Sequence, residues 1–152
     1  MSTRSLHWLE GLYVALAVIG LSATSAQIGP YLHAGGFVQG NLRFWWDTFA
    51  TPASTFIVVD IFVFAAAALT WMFGECRRIG LSARWAWFYF LGSALIGISC
   101  FMPLFFAHRH RRLRLAHPDQ QETPRGADFI GVAIMLATVA AAAVYSFTHI
   151  PG

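Results

Sequence analysis

Charge is scarce in this sequence. Of 152 residues, only 11% are Asp, Glu, Lys or Arg, where a soluble domain carries about a quarter. With 57% hydrophobic residues and a mean hydropathy of +0.58, that shortage excludes an ordinary soluble domain. It points to a membrane protein small enough to form one bundle. Lysine is missing altogether, and every basic residue is arginine. The net charge of +3 is not read as a nucleic-acid footprint, because the arginines fall where loops are expected and membrane headgroups suit them better. Cysteine is limited to Cys76 and Cys100, far apart in sequence, so both are read as thiols and not as a disulfide framework. No Cys or His group has zinc spacing, since His108 and His110 form only an HxH in a basic stretch. No histidine lies inside an apolar segment, which argues against paired haem ligation. A glycine-rich phosphate loop is also missing. Neither a metal nor another cofactor is expected.

What is present is long apolar runs. A crossing needs about 20 apolar residues at about 1.5 Å rise each. Four segments qualify: 8–29, 54–74, 85–106 and 128–148. The first has a rival reading as a secretory signal cleaved after Ala26, because Arg4 precedes the run and Ser22–Ala26 is rich in small residues. Glu10 is unusual at the edge of such a signal, and a retained helix is the reading adopted. Between the first two spans, residues 41–50 have helical periodicity, with Leu42, Trp45, Trp46 and Phe49 on one side and Arg43 and Asp47 opposite, at ion-pair spacing. That pattern predicts a short interfacial amphipathic helix with Trp45 and Trp46 at headgroup level; the bland reading is that these aromatics pack on the bundle. Trp85 and Trp87 form a second aromatic belt. Residues 108–127 are read as a basic polar loop that either touches anionic lipid or is a routine basic flank.

Asp60 is the residue that invites a functional question. It lies about six residues into the second span, about 9 Å below its start. An ionised carboxylate near mid-bilayer costs about 2.5–3.5 kcal/mol on insertion scales, so Asp60 is expected to face the bundle. The stripe Asp60, Phe64, Trp71, Glu75 follows one side of the helix. With helices alternating in direction, Ser99 falls at the depth of Asp60. Pro103 has no N–H for the Ser99 carbonyl, which leaves a free acceptor there. Asp60 and Ser99 are then either a polar clamp between spans two and three or part of a ligand or catalytic site. Glu75 lies at the membrane edge with Arg78 at i+3, within pairing reach.

The ordered segments FIVVD, WMFGECRRIGL, the tryptophans at 85 and 87, and GISCFMPLFFAHR resemble a known pattern. It is that of the small bacterial membrane proteins of domain-of-unknown-function family 2834. Asp60, Glu75, Arg77, Arg78, Gly97, Ser99, Pro103, Leu104 and Phe105 match it, over roughly 11–109. The resemblance implies a multi-pass protein of the bacterial inner membrane whose first helix belongs to the domain. It implies no activity.

The expected fold is therefore an all-α integral membrane four-helix bundle with one interfacial helix. Two functions fit. One is a non-enzymatic module: a subunit of a membrane complex, or a binder of lipid or isoprenoid-like molecules. The other is a small intramembrane enzyme for acid-initiated isomerisation or cyclisation of a lipophilic substrate. There Asp60 or Glu75 would be the proton donor, and Trp71 and Phe64 would stabilise a cation. Expected partners are membrane lipids, a lipophilic small molecule, and a protein partner or a second copy, with no nucleic acid.

Overall fold

A computed structural model describes residues 4–116 and 126–148, with side chains from 8 and from 130 onward in the two stretches. The described residues form five helices and no strand: α1 (Arg4–Asp47), α2 (Pro52–Arg78), α3 (Ala83–Leu95), α4 (Ile98–Ala116) and α5 (Gly126–Thr148). Three stretches are long and apolar enough to cross a membrane, Trp8–Asp47, Pro52–Arg78 and Ile130–Thr148, which marks the chain as a membrane protein.

The first span was expected to stop near Gly29. Instead α1 runs unbroken through Ala26 and Pro30 and breaks at Gly36, whose φ of +66° and ψ of −177° suit only glycine. Residues 37–47 then fold back on the end of α1. Phe44 meets Tyr31 edge-on with centroids 5.5 Å apart, and the Tyr31 hydroxyl donates to Asp47 Oδ2 at 2.9 Å. Gly40 lies so close to the Tyr31 carbonyl that a Cβ would overlap it. Asn41 is inside this helix, donating to the Phe37 carbonyl at 2.8 Å. Asp47 is thus engaged by Tyr31, and Arg43 forms no ion pair with it among the described residues. The apolar face read from the sequence is not buried as a unit. Trp45 stacks on Phe62 of α2 at 5.7 Å, whereas Trp46 is 75% exposed.

Local chemistry fixes both ends of α2. Thr51 and Ser54 form a capping box ahead of the first turn, with Pro52 at its start. At the other end Gly80, at φ +69°, sits in a left-handed turn. The Leu81 N–H donates to the Cys76 carbonyl at 2.8 Å, and the Gly80 N–H to Arg77 at 3.2 Å. This is a Schellman stop with buried Leu81 packed beside buried Cys76, and it accounts for the IGL that ends GECRRIGL.

The helix expected over 85–106 is two antiparallel helices. α3 ends at Leu95, Gly97 has φ +156°, and α4 returns. Trp85 meets His108 at 4.8 Å, Tyr89 meets Phe105 at 5.3 Å and Phe88 meets Phe101 at 5.6 Å, so residue numbers fall on one helix as they rise on the other. Gly92 makes room for the Phe101 ring, which a Cβ would overlap. α4 continues helically to Ala116, so the first nine residues of the expected polar loop are helix; the rest lies outside the described residues, apart from the start of α5.

α4 lies along α1, with Tyr13 against Phe106 at 5.6 Å and Gly20 against the Ser99 backbone. The buried core, including Met72, Cys76, Tyr89, Phe101 and Phe105, is concentrated in the hairpin, the last third of α2 and Leu81 just after it, with Ala17 contributed by α1. α5 rests on α1. There Ser146 Oγ donates to the Ala23 carbonyl at 3.0 Å and Gln27 Nε2 to the Ser146 carbonyl at 2.7 Å.

Candidate functional site

Three helix ends meet where the hairpin begins and finishes. α2 arrives with Trp71 and Glu75 on one side, one turn apart, and α4 arrives with Phe105 and Arg109 spaced the same way. Trp71 meets Phe105 edge-on at 5.8 Å, and Arg109 Nε donates to Glu75 Oε1 at 2.5 Å. Arg78, one turn past Glu75, donates through Nε to Oε2 at 2.6 Å and through Nη2 to Oε1 at 2.5 Å. The Glu75 side chain is 6% exposed and takes three charge-assisted bonds from two guanidiniums. The Arg109 guanidinium also lies over the Trp71 ring, 5.9 Å from its centre, within cation–π range. A second cross-link lies further along α4, where Arg114 pairs with Glu10 of α1 at 2.9 Å. A third joins the Tyr89 hydroxyl to His108 Nδ1 at 2.9 Å.

Burial pushes His108 below the usual imidazole range, and the positive charges of Arg112 and Arg111 push it the same way. An imidazole whose pKa is lowered by folding adds stability above its unfolded value. That stability is lost as pH falls through the folded value. The melting temperature in detergent is therefore expected to fall as pH drops from about 7 to about 5. His108→Gln should flatten part of that slope; an unchanged slope would remove the assignment.

Glu75, Arg78 and Trp71 come together as the helical spacing implied. Asp60, Phe64 and Ser99 do not join them. The register set by Glu75–Arg109 and Trp71–Phe105 puts Ser99 level with Ala65, so Asp60 lies five residues, about 7.5 Å, further along α2. The reason is the turn at Gly97. Because the chain reverses there, Ser99 is at the tip of a short hairpin and its carbonyl meets Gly20 of α1. Asp60 is exposed, and no hydrogen bond or ion pair engages it among the described residues. Around it Val59, Ile61, Val63 and Phe64 are 45–66% exposed. Trp85 and Trp87 are 42% and 53% exposed, and Trp87 also packs on Phe73 at 5.4 Å. No group of His, Cys, Asp and Glu suited to a metal occurs among the described residues.

Arg109 was not singled out as a site residue from the sequence. The available signal was the basic residue that closes the PLFFAHR pattern, but pairing with Glu75 needs the hairpin turn. Glu10–Arg114 and Tyr89–His108 depend on the same turn.

These contacts define a small all-helical membrane protein whose helix pair is locked by arginine–carboxylate bonds at one end. Residues 12–111 match the family described as Protein of unknown function DUF2834, and the chain belongs to that family. The match takes in the α3–α4 hairpin and most of the Arg109–Glu75 neighbourhood and stops short of α5. No curated protein and no solved structure matches the chain.

Proposed function

We propose that this protein is a non-enzymatic subunit of a larger membrane assembly, docked through the free half of α2. The observation that carries this is Asp60. It sits on an apolar helix, exposed and unpartnered, next to large apolar side chains that the rest of the fold leaves uncovered. A carboxylate facing lipid is costly. The occupant that fits is a membrane helix of another protein bringing an arginine or a hydrogen-bond donor to Asp60's depth. In this reading α1, α2 and α5 cross the bilayer of the bacterial inner membrane and α3–α4 enters and returns. Residues 37–47 lie near the interface with Trp46.

The enzyme reading has little support. Asp60 and Glu75 are fifteen residues apart on one helix, about 22 Å, and cannot share a substrate's reacting centre. Glu75 is held by two guanidiniums, which makes it an anchor and not a proton donor. Lipid or isoprenoid binding keeps one specific observation: a groove of about 450 Å³ between α1 and α5, lined by Ile19, Ala23, Gln27, Val139 and Ser146. Its size suits an apolar chain.

Native mass spectrometry of the full chain from mild detergent tests the proposal. A stoichiometric membrane-protein partner is expected. Asp60→Leu should weaken that association about tenfold or more, and Asp60→Asn, which keeps hydrogen-bonding capacity, by less. A monomer carrying only lipid, unchanged by Asp60→Leu, would overturn docking in favour of lipid binding. A second copy as the retained partner would make the assembly homomeric.

A further inference from the structure

The hairpin changes which end of the molecule each arginine occupies. With a continuous third span, the arginines divide between the two sides, and the denser group on α4 stands apart from Arg77, Arg78 and Arg84. In the fold, α1 begins, α2 ends, α3 begins and α4 ends at one place, tied by Glu10–Arg114, Glu75–Arg109 and Trp85–His108. Arg4, Arg77, Arg78, Arg84, Arg109, Arg111, Arg112 and Arg114 therefore gather at one end of the bundle. Among the described residues only Arg43 belongs to the other.

The gathered arginines fall into two groups. Arg78, Arg109 and Arg114 are bound to carboxylates. Arg77, Arg84, Arg111 and Arg112 are exposed and have no partner among the described residues. α4 is fastened to the bundle through His108, Arg109 and Arg114, whereas Arg111 and Arg112, near its end, are exposed. One turn before them, His108 meets the half-exposed ring of Trp85 on α3 at 4.8 Å. Unpaired guanidiniums next to amphipathic aromatics match the headgroup zone of a membrane, and guanidinium suits phosphate.

We infer that this arginine end is the cytoplasmic face and that Arg77, Arg84, Arg111 and Arg112 bind the headgroups of anionic phospholipid there. Basic residues close to helix ends set orientation, and the gathered arginines outnumber Arg43 heavily. The N-terminus is then cytoplasmic. After three crossings and one hairpin the C-terminus is on the opposite side. The inference is independent of what docks at Asp60, which lies toward the other end.

Two measurements test it. Reporters fused to the two termini should read opposite compartments, the N-terminal one cytoplasmic; the same compartment for both, or the reverse order, would overturn the orientation. For the lipid, the full chain is reconstituted in vesicles of phosphatidylcholine containing phosphatidylglycerol, and the preference for spin-labelled phosphatidylglycerol over spin-labelled phosphatidylcholine is measured. A preference that weakens with salt is expected. Arg111→Gln with Arg112→Gln should reduce it by about fivefold per arginine removed, and Arg43→Gln should leave it unchanged. Because the two α4 arginines form no hydrogen bond or ion pair among the described residues, the double variant should melt as the wild type does at a pH above the His108 titration, where their repulsion of the imidazolium does not count. No preference in the wild type, or equal loss in Arg43→Gln, would overturn the lipid site. Loss of a co-purifying acidic protein in place of a lipid preference would assign the surface to a protein instead.

Discussion

Replacing Arg78 and Arg109 together with alanine is expected to cost about 3–5 kcal/mol of stability. Chemical denaturation of the full chain in detergent checks this. Glu75 is 6% exposed, and its two oxygens accept three bonds, all from these guanidiniums. Removing both leaves a buried carboxylate without a counter-charge. The single variants should separate sharply. Arg78 is 57% exposed and one turn away on the same helix, so Arg78→Ala should cost about 1 kcal/mol or less. Arg109 joins α4 to α2 and also covers the Trp71 ring, so Arg109→Ala should cost more, because it loses a contact between helices. Equal costs for the two single variants would mean that Glu75 is held locally and does not fasten the hairpin.

How much of this was legible in the sequence depends on the range of each interaction. The Glu75–Arg78 pair follows from i+3 spacing, and the membrane helices follow from run length. Those are local properties. The hairpin was hidden because Leu95, Ile96, Gly97 and Ile98 carry no polar break, and a 22-residue apolar stretch from 85 to 106 has the length of a crossing. Gly97 was the one local sign of a turn, and glycine is common in membrane helices. Once the chain reverses there, the depth assigned to every residue after it changes. Ser99 moves away from Asp60, and Arg109 reaches Glu75. The freed carbonyl inferred from Pro103 was sound chemistry applied to the wrong neighbour: it meets Gly20, which no spacing rule singles out. Asp60 was expected to face the bundle because a carboxylate exposed to lipid is costly. The hairpin covers only the end nearer Glu75.

Gly20→Ala is expected to cost about 3 kcal/mol, the upper part of the range for overpacking. A Cβ there would stand 2.7 Å from the Ser99 carbonyl oxygen and 3.0 Å from its carbon. The obstacle is backbone, so no side-chain rotation relieves it. α4 would have to move off α1, disturbing Tyr13–Phe106 and Arg114–Glu10 in the same interface. The wild-type contact is favourable for the same reason that the alanine is not. Pro103 gives the Ser99 carbonyl no N–H within α4, and glycine lets α1 approach close enough for a weak Cα–H to oxygen contact. A comparison with Gly11→Ala isolates the effect, since a Cβ at Gly11 meets nothing within 4 Å and alanine is the better helix former. Gly11→Ala should therefore be neutral or slightly stabilising. Thermal melts of the two variants in one detergent decide the matter, and a Gly20→Ala protein as stable as Gly11→Ala would show that the tip of the hairpin does not rest on α1.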